Sequence, residues 1–170
     1  MAIVEKKLNI INKEVNMLKI VVEKWWKNNK KLEDAYRTKK GWNSCSYLDI
    51  VKETINSILN DNDGYTKWDI EHITEIDNGD YQGTLLYLIP ENTYQPSSDE
   101  YLMTYVYYGS CSGCDTLQAI QEWSEGPLKE DQIKEFMMLS LHLLENMIKP
   151  YNDGWRSNDD YKQVQDGWKF

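Results

Sequence analysis

Cys111 and Cys114 are the residues in this chain whose type and spacing could do chemistry. They lie in the run Tyr107-Tyr108-Gly109-Ser110-Cys111-Ser112-Gly113-Cys114-Asp115-Thr116-Leu117. Two cysteines separated by two residues serve as a redox dithiol or as half of a tetrahedral zinc site. The context reads as strand, Cys-x-x-Cys, helix, so the second cysteine stands near a helix start, where the dipole favours a thiolate. The candidate functional loop is therefore Tyr108, Gly109, Ser110, Cys111, Ser112, Gly113, Cys114 and Asp115, with Cys111 and Cys114 as its candidate zinc ligands.

Each use of the pair makes a further demand. A thioredoxin-like redox site follows the first strand of a βαβ unit and carries a tryptophan before its first cysteine. Here Ser110 takes that place, helices precede the sheet, and no strand reads after Cys114. A structural zinc needs four ligands. Only Cys45, His72 and His142 could add thiolate or imidazole, and no second Cys-x-x-Cys exists. The plainer alternative is a tight turn of small residues, Gly109 to Gly113, whose cysteines pack as small apolar groups. Amides at the helix start could also hold a ligand, although Asp115 competes for them.

Other residues offer less. In Asp61-Asn62-Asp63-Gly64, alignment of the glycine with a calcium loop puts Leu59 and Ile70 at ligand positions, so the run reads as a turn. Asp69, Glu71 and Glu75 alternate with apolar strand positions and read as solvated edges. His72 on a strand and His142 in an apolar helix read as partly buried structural histidines. Gly-x-Ser-x-Gly, P-loop and dinucleotide glycine patterns are all absent. No catalytic residues are assigned, and no cofactor is expected apart from the zinc alternative.

The elements that position the loop follow from periodicity. Val4, Leu8, Ile11, Val15, Leu18, Val22 and Trp25 are spaced 4, 3, 4, 3, 4, 3, which predicts a long amphipathic helix over about 3–30. Leu8, Ile11, Val15, Leu18, Val22 and Trp25 form a coiled-coil-like seam. Ile3, Ile10, Ile20 and Val21 widen it, so it serves either packing onto the domain core or a homodimer. Leu32 would extend the series after a polar gap at Asn29, and Lys27 to Trp42 reads as a charged connector with a weak helical end. Ser46 caps a second helix, with Asp49 completing a capping box, and Leu48, Val51, Ile55 and Ile58 form its inner face.

Three strands are predicted: Trp68–Ile76, Tyr81–Ile89 and Tyr101–Tyr108. Asp77-Asn78-Gly79-Asp80 joins the first two as a tight hairpin turn with positive φ angles. Asp115 caps a short helix lined by Leu117, Ile120 and Trp123. Another runs from Glu130 to Ile148, with Met137, Met138 and Met147 filling the core. The fold class is α+β, in the order ααβββαα: a three-stranded antiparallel meander covered by helices. Residues 1–150 make the single domain, and 151–170 a polar aromatic tail in which Asp-Gly-Trp occurs twice.

Composition narrows the classes. The chain has 170 residues, 41% hydrophobic and 28% charged, with 7 Trp and 12 Tyr, which suits one globular domain. No apolar run approaches the roughly 20 residues of a membrane span. No signal peptide is evident, and 3 cysteines make no secreted disulfide framework. A cytoplasmic location is expected. The net charge of −9 divides into about +6 over residues 1–40 and about −15 over 41–170. The acidic body disfavours direct nucleic-acid binding and suits a basic protein partner.

The segment Tyr108-Gly109-Ser110-Cys111-Ser112-Gly113-Cys114-Asp115-Thr116-Leu117-Gln118 resembles one in small proteins of bacteriophages and prophages of Gram-positive bacteria. Gly79-Asp80-Tyr81-Gln82-Gly83-Thr84-Leu85 is similar to theirs as well. The two segments have 11 and 7 of the 170 residues, and the resemblance carries no established activity. It implies a viral accessory protein working in the host cytoplasm. Three expectations follow: a non-enzymatic interaction protein binding a host or viral protein through its acidic aromatic surface; a zinc-stabilised or redox-active thiol protein centred on Cys111 and Cys114; or a helix-mediated structural oligomer.

Overall fold

The computed structural model describes residues 2–60, 67–121 and 126–149, with the backbone alone for 2–16. The order is α1 (Ala2–Thr38), α2 (Tyr47–Thr54), β1 (Thr74–Asp77), β2 (Gly83–Pro90), β3 (Tyr101–Tyr108), α3 (Thr116–Gln121) and α4 (Glu130–Glu145). This is the α+β fold and the ααβββαα order that the periodicity predicts. A short 3-10 turn, Trp42–Ser44, precedes α2, and a π turn, Ile55–Leu59, continues it. The tail 151–170, the Asp61–Gly64 turn and Trp123 lie outside the described residues.

Helix α1 extends well past residue 30, so Lys27 to Thr38 is helix and not a connector. The physical reason is the buried stripe Val21, Leu32 and Tyr36, with half-buried Trp25 on the same side. Asn28 interrupts that stripe, but its side-chain amide donates to the Ile58 carbonyl at 2.9 Å. Lys24 Nζ likewise donates to the Leu59 carbonyl at 3.1 Å. Polar side chains thus cap the open carbonyls of the π turn, and a charged surface conceals a docked helix.

Ser46 and Asp49 form the expected capping box: Ser46 Oγ accepts from Asp49 N at 3.2 Å, and Asp49 Oδ2 accepts from Ser46 N at 2.8 Å. Of the inner face, Val51, Ile55 and Ile58 are buried and Leu48 is half-buried. In the core, Phe136 of α4 meets Tyr36 of α1 at 5.2 Å between ring centroids and Trp42 at 6.0 Å, while Tyr36 and Trp42 meet edge-on at 4.8 Å. The Tyr36 hydroxyl shares a 2.7 Å hydrogen bond with Ser140 Oγ.

The sheet order is β1-β2-β3, all antiparallel. The first strand is shorter than predicted. Asp69 accepts from Glu71 N at 3.0 Å and pairs with His72 Nδ1 at 2.7 Å. These local bonds compete with the ladder, leaving Trp68 as an isolated bridge to Glu91. Over the predicted strand Trp68–Ile76, Trp68 is buried and Ile70 packs against the core, whereas Thr74 and Ile76 pair with Leu88 and Leu86. The hairpin also differs: Gly79 has no positive φ. A Cβ at Gly79 would sit 2.2 Å from the Gln82 carbonyl oxygen, so close approach and not handedness demands glycine.

Two further corrections concern surface residues. Both histidines are exposed, His72 beside Asp69 and His142 beside Glu145. Met147 is buried and Met137 half-buried, but Met138 is exposed. Among the described residues no helix is long and apolar enough to cross a membrane.

Candidate functional site

Strand β3 delivers the cysteine loop. Leu102 and Thr104 face the helices, and Thr104 Oγ1 donates to the Leu143 carbonyl of α4 at 2.7 Å. At the strand end Tyr108 donates to Asp77 Oδ1 at 2.8 Å. The chain then turns sharply at Gly109, which is buried. A Cβ there would lie 2.5 Å from Cys114 Sγ and 2.4 Å from the Cys114 carbonyl oxygen, so only glycine permits this approach.

Asp115 anchors the loop. Its buried carboxylate accepts from Gly109 N at 3.1 Å, from Gln118 N at 2.9 Å and from the Tyr47 hydroxyl at 3.2 Å. The Gln118 bond is the predicted helix cap. Gln118 does not complete a capping box with its side chain, whose Nε2 reaches the Gly109 carbonyl at 3.4 Å. Tyr47, at the start of α2, also accepts from Leu117 N at 3.1 Å. Burial pushes its phenol up from its ordinary range, and the Asp115 carboxylate adds to the shift. Sequence reasoning missed Tyr47, because no local pattern says that α2 reaches the start of α3.

The cysteines do not pack as small apolar groups. Both are exposed, and their sulfurs lie 3.0 Å apart. The turn is closed by Cys114 N donating to the Cys111 carbonyl at 2.9 Å. Cys111 N donates to Cys114 Sγ at 3.2 Å, and Ser110 Oγ is 4.0 Å away. The Cys111 thiol, with these donors, holds Cys114 below the ordinary thiol value. Ser110, Ser112 and Gly113 are exposed.

Cys45 is elsewhere, half-buried, its carbonyl and sulfur accepting from Gln121 Nε2 at 2.8 and 3.5 Å. Among the described residues no three His, Cys, Asp or Glu side chains form a set that could hold a metal ion. A zinc on Cys111 and Cys114 would draw its remaining ligands from outside them.

Burial pushes the Cys45 thiol up to about 12 from an ordinary 9.0; the Asp49 carboxylate adds to this and the Gln121 hydrogen bond opposes it. Burial likewise raises Tyr36, Tyr47 and Tyr87. A folded pKa above the unfolded one contributes stability that is fully present below the unfolded pKa and is lost as pH rises through the folded one. The urea midpoint is therefore expected to show no loss from these groups as pH approaches 9, then to fall between pH 9 and 12. Cys45→Ala should make that fall shallower. A wild-type midpoint constant across this window would contradict the buried placement of these groups.

The sheet presents a second surface. The register places Ile76 beside Leu86 and Leu86 beside Tyr105, with Leu88 beside Met103 and Thr84 beside Tyr107. These residues share the face opposite Tyr87, Ile89 and Leu102. With Ile148, which exchanges two 2.9 Å backbone bonds with Met103, all of them but Leu88 line an apolar concavity of about 390 Å3. Ile76, Tyr107 and Ile148 are exposed at its rim. The signal was in β3 itself: Leu102, Thr104 and Val106 alternate with Tyr101, Met103, Tyr105 and Tyr107, so both faces lack charge.

Of the predicted seam, Leu8, Ile11 and Val15 lie in α1 with side chains outside the described residues. Trp25 packs against the core, whereas Leu18 and Val22 are exposed. Val21, one position off the seam, is the residue buried instead.

The chain matches no family model, no curated protein and no solved structure.

Proposed function

We propose that this chain is a non-enzymatic interaction protein whose docking surface is the outer face of its sheet. The observation that carries this reading is the apolar concavity bounded by Ile76, Leu86, Met103, Tyr105, Tyr107 and Ile148. Aromatic and methionine side chains around such a recess are favoured anchors for a partner protein. Residues 41–170 carry about −15, so the partner class is a protein offering apolar side chains flanked by Lys and Arg. The resemblance of the 108–118 segment to phage and prophage proteins supports a viral accessory role in the host cytoplasm, the partner being a host or viral protein and not a nucleic acid or membrane.

A second reading, a homodimer through α1, is favoured by the exposure of Leu18 (50%) and Val22 (45%), which continue the heptad seam outside the core. One experiment separates the two. Full-length protein, Leu86→Glu, Tyr107→Glu and Leu18→Asp are used as baits in Gram-positive bacterial lysate, and each is sized by sedimentation. The sheet reading expects one dominant basic partner, lost at least about tenfold with Leu86→Glu and Tyr107→Glu and kept with Leu18→Asp. Retention of the partner by folded Tyr107→Glu, or absence of a dominant partner, would overturn it. A dimer that Leu18→Asp dissociates would instead establish the helix reading.

A further inference from the structure

We infer that Cys111 and Cys114 form a dithiol that reduces an external disulfide by exchange, itself closing to one intramolecular disulfide. This goes beyond the interaction reading and does not rest on it. Three observations carry it. Both cysteines are exposed while the third, Cys45, is half-buried. The two sulfurs are 3.0 Å apart in the reduced protein. The backbone between them is a turn closed by the 2.9 Å bond from Cys114 N to the Cys111 carbonyl. Such a turn brings the end Cα atoms within about 7 Å, around the 4.4–6.8 Å range that a disulfide spans.

The surrounding structure holds this geometry. Asp115 fixes Gly109 and the start of α3, and Tyr47 fixes Asp115. Gly109 packs directly against Cys114, so the loop cannot spread without losing that contact. The Cys111 amide donates to Cys114 Sγ, and the two thiols share a hydrogen bond in which either can donate; the amide favours Cys114 as the thiolate, and its lowered pKa agrees.

The step balances as follows. Cys114 thiolate attacks one sulfur of a disulfide R–S–S–R′, forming a Cys114–S–S–R bond and releasing R′S⁻. Cys111 then loses its proton to solvent and attacks Cys114 Sγ, forming the Cys111–Cys114 bond and releasing RS⁻. Both leaving thiolates take up protons. The chain is oxidised by two electrons, and the external disulfide is reduced to two thiols.

The test uses reduced full-length protein with oxidised glutathione and, separately, with insulin as a protein disulfide. Products are read by intact mass after alkylation in denaturant. The wild type should lose two of its 3 alkylatable thiols and retain no glutathione. Cys111→Ser should stop at a mixed disulfide on Cys114, and Cys114→Ser should react about tenfold more slowly or less. Exchange with glutathione alone assigns a low-molecular-weight disulfide; exchange with insulin as well assigns protein disulfides. Three thiols still alkylatable, a stable glutathione adduct on the wild type, or equal rates for the two variants would overturn the inference.

Discussion

Phe136→Ala is expected to destabilise the protein by about 3–5 kcal/mol, the usual cost of deleting a fully buried aromatic side chain. Phe136 is wholly buried and contacts both Tyr36 and Trp42. Those residues come from the end of α1 and from the 3-10 turn that soon follows it, so this one ring ties both to α4, which is remote from them in sequence. The cavity would open between rings already held elsewhere. Tyr36 is fixed by Ser140 Oγ, and the Trp42 indole N–H donates to the Ala35 carbonyl at 3.3 Å. Neither can swing in to fill the space without breaking a hydrogen bond. Met138→Ala, on the exposed side of the same helix, should stay within about 0.5 kcal/mol. Urea unfolding of both variants decides the matter. A loss below about 1 kcal/mol for Phe136→Ala would mean that α4 does not pack through this ring.

Asp115→Ala should cost about 3 kcal/mol and disorganise the cysteine turn as well. The carboxylate has three donors, and hydrogen bonds to a charged group contribute about 1.5–3 kcal/mol each. Gly109 N is buried and would be left without its acceptor. The Tyr47 hydroxyl would keep only its bond from Leu117 N. Gln118 N is nearer solvent and can turn to water. Asp115→Asn should lose less than the alanine, because its amide retains one acceptor oxygen while presenting an NH2 to one of the former donors. Two readouts apply: the urea midpoint, and the rate at which Cys111 and Cys114 close to a disulfide. If the alanine variant unfolded like the wild type, or closed the disulfide at an unchanged rate, Asp115 would not be the anchor of the loop.

Elements with a local cause were legible from the residues. The Ser46–Asp49 capping box and the cap from Asp115 were read from side-chain chemistry within one helical turn, and both are present. Strand β3 matched its predicted bounds, Tyr101–Tyr108, because β-branched and aromatic residues fill it between turn formers. Where the reading failed, a non-local contact or a competing local bond had won. Lys27 to Thr38 looked like a charged linker because polar Asn29 interrupts the earlier spacing, although Leu32 and Tyr36 beyond it continue the series and are buried. The first strand shrank to Thr74–Asp77 because Asp69 turned the chain before it. Met138 and both histidines proved exposed because helix and strand periodicity locates a stripe without saying how wide the covering layer is.

The sequence by itself determined the α+β class, the element order, the capping residues and the loop that holds the only closely spaced cysteines, since each depends on residues near one another in the chain. Tertiary structure alone decided what that loop is. Tyr47 arrives from α2 to hold Asp115, Gly109 closes onto Cys114, and the thiols are left outside the core, facing each other at 3.0 Å. It also decided that, among the described residues, the helices cover one face of the sheet, while Leu86, Tyr105 and Tyr107 line a recess on the other. Exposure is a property of what packs against a residue, and that partner is set by contacts dozens of positions away, which composition and spacing do not encode.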